Sequence, residues 1–260
     1  MTVAHVNILG VRVDNVNEAA ALERAAALLC AGGAHHIVTI NPEFVMEARR
    51  NPAFAAVLDT ADLATPDGFG ILLAARYLGT PLQGRATGVE LTLGLARLAA
   101  QHSYRVFLLG AAPGVAEATA AILQARIPGL IIAGTYAGSP DPRYEPFLRQ
   151  LIRAARPDIL LVAYGHPRQD LWIARNQPVL QIPLAVGVGG TFDYLSGRVP
   201  RAPEWLRRIG LEWAYRLVRQ PGRLPRIIDA VPRFAWAVLR EGRQPPQTPA
   251  QSEPHPEHYP

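Results

Sequence analysis

The sequence predicts an α/β protein: a mostly parallel sheet flanked by helices, followed by a basic amphipathic helical appendage. Three observations predict it. Short β-rich runs alternate with helical segments along most of the chain. Hydrophobic residues make up 49% and charged residues 18%, enough for a sizeable core. The charge is also segregated: residues 1–197 hold 15 Arg and 15 acids, whereas residues 198–243 hold 11 Arg and 4 acids. The 260 residues thus divide into an α/β body (1–197), a basic segment (198–243) and a tail (244–260). Six prolines and little apolar content predict a disordered tail.

Each element follows from its local pattern. Val6–Leu9 and Val11–Val13 read as short strands around Gly10, and Asn17 can cap a helix over Glu18–Leu29. His36–Ile40 reads as a strand, with a helix opening at Pro42, where proline is tolerated in the first turn. Leu63–Thr65 is a strand, and Gly68–Leu78 and Thr87–Gln101 are helices. Arg105–Gly110, Pro113–Arg126 and Leu130–Ala133 form a compact βαβ unit. Tyr144–Ala155 is a helix, Ile159–Ala163 a strand, Gln169–Arg175 a helix and Leu184–Val188 a strand. This order gives a Rossmann-like sheet whose ligands bind beyond the carboxyl ends of its strands.

In the basic segment, Leu206, Ile209, Trp213 and Leu217 form one apolar stripe on a helix over about 203–220. A second helix, about Arg226–Arg240, carries Ile227, Ile228, Val231, Phe234, Trp236 and Leu239. Trp with flanking Arg suits interfacial attachment to an anionic membrane. A pair of amphipathic helices docked on the core fits the same pattern. No leader segment or membrane-spanning run is visible, so a cytoplasmic protein is expected.

Several chemistries are excluded. The chain has no Lys, so it has no P-loop lysine, Schiff base or lysine general base. Cys30 is the only cysteine, which removes an internal disulfide and Cys-rich zinc sites. No Asp-x-Asp, Glu-x-Asp or Asp-x-Glu occurs to clamp a metal–diphosphate, and no metal and no cofactor is expected. Adjacent His35 and His36 point to opposite faces of a strand. The stretch Leu109-Gly110-Ala111-Ala112-Pro113-Gly114 lacks dinucleotide spacing, though a nucleotide phosphate or base could approach it. An anionic leaving group must then be stabilised by Arg, backbone N–H groups or a helix N-terminus.

Four strand-end loops carry the candidates. They are Thr39-Ile40-Asn41-Pro42, Pro66-Asp67-Gly68, Tyr164-Gly165-His166-Pro167-Arg168-Gln169-Asp170 and Gly189-Gly190-Thr191-Phe192-Asp193. Asp67 at a strand-to-helix junction is a candidate general base, with Thr39, Asn41 and Gln169 on neighbouring strand ends. An aspartate there is equally a common helix cap. Arg85, glycine-flanked before the helix at Thr87, can bind an anion or be an ordinary surface arginine. Gly110, Gly189, Gly190 and Asp193 are candidate substrate-binding positions. The Gly187-Val188-Gly189-Gly190 run allows close backbone approach to a ligand or simply makes a tight turn.

Taken together, Thr39-Ile40-Asn41-Pro42-Glu43, Pro66-Asp67-Gly68, Gly165-His166-Pro167-Arg168-Gln169-Asp170 and Gly187-Val188-Gly189-Gly190-Thr191-Phe192-Asp193 resemble the WecG/TagA/CpsF glycosyltransferases. Arg201-Ala202-Pro203-Glu204-Trp205 and Leu211-Glu212-Trp213-Ala214-Tyr215-Arg216-Leu217 extend the likeness over about residues 5–240. The resemblance implies inverting, metal-independent transfer of a sugar, N-acetylmannosamine by family frequency, from a UDP-sugar donor to an undecaprenyl-diphosphate-linked acceptor. Such work serves cell-surface polysaccharide or teichoic-acid-type biosynthesis. It implies Asp67 as general base, Thr39, Asn41 and Gln169 as polar site residues, and Arg85 in catalysis. It also implies that Arg216, Arg223 and Arg226 reach the site from an appendage lying on the inner face of the cell membrane. Gly138-Ser139-Pro140 departs from the Gly-Tyr-Phe-like stretch of many members, so a glucosyl donor stays open. A nucleotide-dependent oxidoreductase and a non-catalytic membrane adaptor remain rival readings on the same fold. No nucleic-acid partner is expected, and a homo-oligomer is neither required nor excluded.

Overall fold

The structure is a computed structural model, and it describes residues 3–204, 206, 215 and 224–241. A hairpin, β1 (His5–Ile8) and β2 (Val11–Asp14), precedes α1 (Glu18–Ala31) and β3 (His35–Ile40). Then come α2 (Pro42–Ala48), α3 (Pro52–Thr60), β4 (Leu63–Pro66), α4 (Phe69–Tyr77) and α5 (Gly88–His102). The second half runs β5 (Arg105–Gly110), α6 (Val115–Arg126), β6 (Ile131–Tyr136), α7 (Glu145–Ala155), β7 (Ile159–Ala163) and α8 (Arg168–Leu180). It closes with β8 (Leu184–Gly187), α9 (Thr191–Leu195) and α10 (Leu224–Glu241).

Six strands pair in the order β4-β3-β8-β7-β5-β6, every pair parallel. The predicted α/β class and parallel sheet are what the chain adopts. Strand residues alternate between two faces, as a period of two requires. Val106 and Leu108 of β5 pack with α6, while Phe107 and Leu109 pack with α7 and α8. The helix after β5 therefore covers one face and the helix after β7 the other. That divergence opens a crevice beyond the carboxyl ends of adjacent strands.

Helix starts are fixed locally. Asn17, Asn41 and Asn51 accept N–H bonds from Ala20, Phe44 and Phe54 at 3.0–3.1 Å. Thr87 and Glu90 form a reciprocal capping box on α5. The hairpin packs beside β4, where buried Asp14 accepts the Ala64 N–H at 2.8 Å.

Three elements differ from the sequence expectation. The helix expected at Pro42 opens there and ends at Ala48, and a further helix, α3, which the sequence reading did not place, starts at Asn51-Pro52 and buries Phe54 and Leu58. α8 runs past Arg175 and through Pro178 to Leu180, and Gln177 Nε2 anchors its last turn by donating to Ile182 O at 2.8 Å and His35 O at 3.0 Å. β6 passes through Gly134 to Tyr136 by a register shift against β5.

α10 docks on the body. Phe234 and Val238 are buried with Phe44, Ile71 and Ala74, Ala237 is buried too, and Arg49 pairs with Glu241 at 3.0 Å. Arg49 holds the Glu241 carboxyl below its ordinary range through this hydrogen-bonded pair. A buried phenylalanine contributes about 1.5–3 kcal/mol, so α10 is part of the core. Its other side stays outside: Trp236 is 66% and Leu239 56% exposed. The helix expected over about 203–220 falls almost wholly outside the described residues, as do Arg216, Arg223 and the tail.

Candidate active site

All six strands end on one edge, and the loops bearing Thr39, Asn41, Asp67, Gln169 and Gly189 follow strands there. At β4, the Asp67 N–H donates to Ile40 O at 2.7 Å, which stitches the ends of β4 and β3 together. Asp67 is half-buried and does not cap α4; Gly68 takes that position without a side-chain bond. At β3, Thr39 is buried and its hydroxyl lies 3.4 Å from Gly187 O. Asn41 follows and spends its Oδ1 on the α2 cap.

The loop bearing Arg85 is pinned to the same place. Ala86 N–H donates to Pro66 O at 2.9 Å and Thr65 Oγ1 donates to Ala86 O at 3.0 Å. Arg85 therefore stands beside the Asp67 segment, half-buried, with no hydrogen bond or ion pair among the described residues.

Gln169, in the first turn of α8, is buried, and its Oε1 accepts the Gly189 N–H at 2.9 Å. The Val188–Thr191 loop packs on the start of α5, where a Cβ at Gly88 would stand 3.0 Å from Thr191 Oγ1. A Cβ at Gly189 would meet nothing within 4 Å, so this residue borders open space. Gly190 precedes α9 without a side-chain cap. Asp193 is half-buried in α9, with no side-chain bond to the other candidates among the described residues. Gly110 has its own reason to be glycine: at φ +105°, a Cβ would stand 2.8 Å from the Ala163 carbonyl carbon. That contact is between strands, and it explains the glycine without a ligand. Arg226 lies within α10.

The sequence reading gave no role to a pair that the fold assembles at this edge. His166 Nε2 lies 3.3 Å from Glu43 Oε2, and its ring rests 5.1 Å from that of Phe44. His166 sits in the loop after β7 and Glu43 in the first turn of α2. One turn further, Glu47 is held below its ordinary range. Burial raises it, but hydrogen bonds from Arg50 and Asn51, with the positive field of Arg50 and His166, outweigh that. Among the described residues, no cluster of three or more His, Cys, Asp or Glu is placed to hold a metal ion.

A half-buried carboxylate, an arginine on the adjoining loop and a glycine-bordered opening thus lie on one edge of a Rossmann-like sheet. The family model "Glycosyl transferase WecG/TagA/CpsF family" matches residues 6–248. The chain belongs to that family and is a glycosyltransferase. An N-acetylglucosaminyldiphosphoundecaprenol N-acetyl-beta-D-mannosaminyltransferase of Bacillus spizizenii is 40% identical, covering 80% of this chain and 79% of its own length. Like-named relatives are 33% identical in Bacillus subtilis, over 79% of each chain, and 31% identical in Staphylococcus aureus, over 93% of this chain and 94% of the relative.

Proposed function

We propose that the chain transfers N-acetylmannosamine from its UDP sugar to an N-acetylglucosaminyl-diphosphoundecaprenol acceptor, with inversion and without a metal ion. The observation that carries the substrate reading is the 40% identity to the Bacillus spizizenii enzyme over 80% of this chain. In the step, Asp67 takes the proton of the acceptor hydroxyl. The freed oxygen bonds to the anomeric carbon as the bond to the diphosphate breaks, and the electron pair leaves with UDP. Arg85 and the basic segment stabilise that charge, with Arg216, Arg223 and Arg226 as the contributors proposed there. Thr39, Asn41 and Gln169 hold the reacting groups. The absence of any acidic pair at clamp spacing in the sequence supports cations rather than a divalent ion in that role.

A panel of UDP sugars, UDP-glucose included, with a synthetic lipid-diphosphate acceptor tests this reading. N-acetylmannosaminyl transfer is expected to lead the panel and to persist in EDTA. Preference for UDP-glucose overturns the donor, and loss in EDTA with recovery in magnesium or manganese overturns the metal-free step.

The same reading places residues 198–243 on the inner face of the cell membrane, where a polyprenyl acceptor is anchored, and residues 1–197 above it as the catalytic body. No helix among the described residues is long and apolar enough to cross a bilayer. Trp236 and Leu239 project from α10 beside Arg240, the composition of an interfacial face. Replacing both by alanine is expected to weaken binding to phosphatidylglycerol vesicles about tenfold or more. The melting temperature stays unchanged, since both are exposed. Vesicle co-sedimentation equal to wild type removes α10 from the membrane contact.

A further inference from the structure

One buried carboxylate beside the site has no role so far. Asp170 follows Gln169 in the first turn of α8, is 0% exposed, and neither of its carboxylate oxygens has a hydrogen-bond partner among the described residues. A carboxylate stripped of water and donors is costly, and the helix N-terminus offsets only part of that. An acid at the third helical position normally reaches back to the cap N–H. The cap of α8 is Pro167, which has no N–H to give.

What faces Asp170 is His36 of β3. It is buried too, and its Nε2 lies 3.4 Å from Asp170 Oδ1. Asp170 and Gln169 both press on the backbone of Gly187. A Cβ there would collide with Asp170 Oδ1 and stand 2.6 Å from Gln169 Nε2. Since Gln169 Oε1 holds the Gly189 N–H, any displacement of this turn is passed to the Val188–Gly190 loop.

We propose that His36 and Asp170 are positioning residues. The pair ties the first turn of α8 to β3 and thereby fixes Gln169 under Gly189. This rests on Gln169 belonging to the site of the proposed transfer. Misplacing a site group by on the order of 1 Å costs about 100-fold in rate.

The test uses the full chain with Asp170→Asn and, on the other side of the pair, His36→Gln. Transfer kinetics, thermal melting and hydrogen exchange of the Gly189 amide by NMR are measured for each. In each, kcat is expected to fall about 10- to 100-fold, with KM for the UDP sugar within about threefold. Melting stays within a few degrees, and Gly189 exchange accelerates. A kcat within twofold of wild type overturns the proposal. So does a kcat that falls only in step with melting while Gly189 stays protected, which is what a merely structural pair gives. Gln169→Ala serves as the control. Full activity there removes Gln169 from the site, and Gly189 exchange then decides the positioning claim alone.

Discussion

Replacing Asp67 by asparagine is expected to lower turnover by about 100-fold or more, the scale of losing a general base, while binding of the UDP sugar survives. The substitution keeps the shape of the side chain and removes its ability to take a proton. Its backbone is held by bonds that do not involve the carboxylate. The Asp67 backbone N–H is held by Ile40 O, and the helix that follows is capped at Gly68 without side-chain help. A fall in turnover with unchanged melting thus reports chemistry. Steady-state rates and calorimetric titration with the UDP sugar separate the two effects. Near-normal turnover removes Asp67 from the role of base.

The parts of the fold legible in the sequence were those written in local chemistry. Asn17 announces a helix start and makes its cap bond, and the helices expected to open at Pro42 and near Thr87 do so. Ile159–Ala163 reads as a strand because it is apolar throughout, and it is buried between two neighbours. What stayed illegible was set by partners distant in sequence. Gly134 looked like the end of a strand. Its place in β6 depends on the Phe107 ring, which lies where a Cβ would be, and on a register shift that only pairing with β5 defines. The helix expected over Gln169–Arg175 runs on to Leu180, where Gln177 ties its last turn to His35 of β3 and to Ile182 ahead of β8.

The site divides the same way. Ranking strand-end loops was enough to gather Thr39, Asn41, Asp67 and Gln169, because six parallel strands put every such loop on one edge. No spacing rule joins Glu43 to His166, or His36 to Asp170, since each pair closes only when α2, α8 and β3 have packed. Gly110 shows the converse. It stood out as a ligand glycine, and the structure accounts for it by the backbone of Ala163.

Arg85→Ala is expected to reduce turnover by about 100-fold, the scale of removing one donor to a developing anion, with little effect on melting. Arg85 is half-buried and spends no hydrogen bond on the described fold, so its removal leaves no orphaned partner there. Its loop is held independently by Ala86 and Thr65 at the end of β4. Arg85→Lys is expected to recover only part of the rate, since an ammonium supplies charge without the planar fork that grips two phosphate oxygens. UDP affinity, measured alongside turnover, is expected to fall with both. The basic segment enters at the same spot: Arg201 reaches Glu90 at 3.6 Å, and Glu90 is the capping partner of Thr87, two residues beyond Arg85. An anion held by Arg85 therefore lies where the segment with 11 arginines begins. If Arg85→Ala instead unfolds the chain, or turns over like wild type, the diphosphate is gripped elsewhere and that convergence has no catalytic meaning.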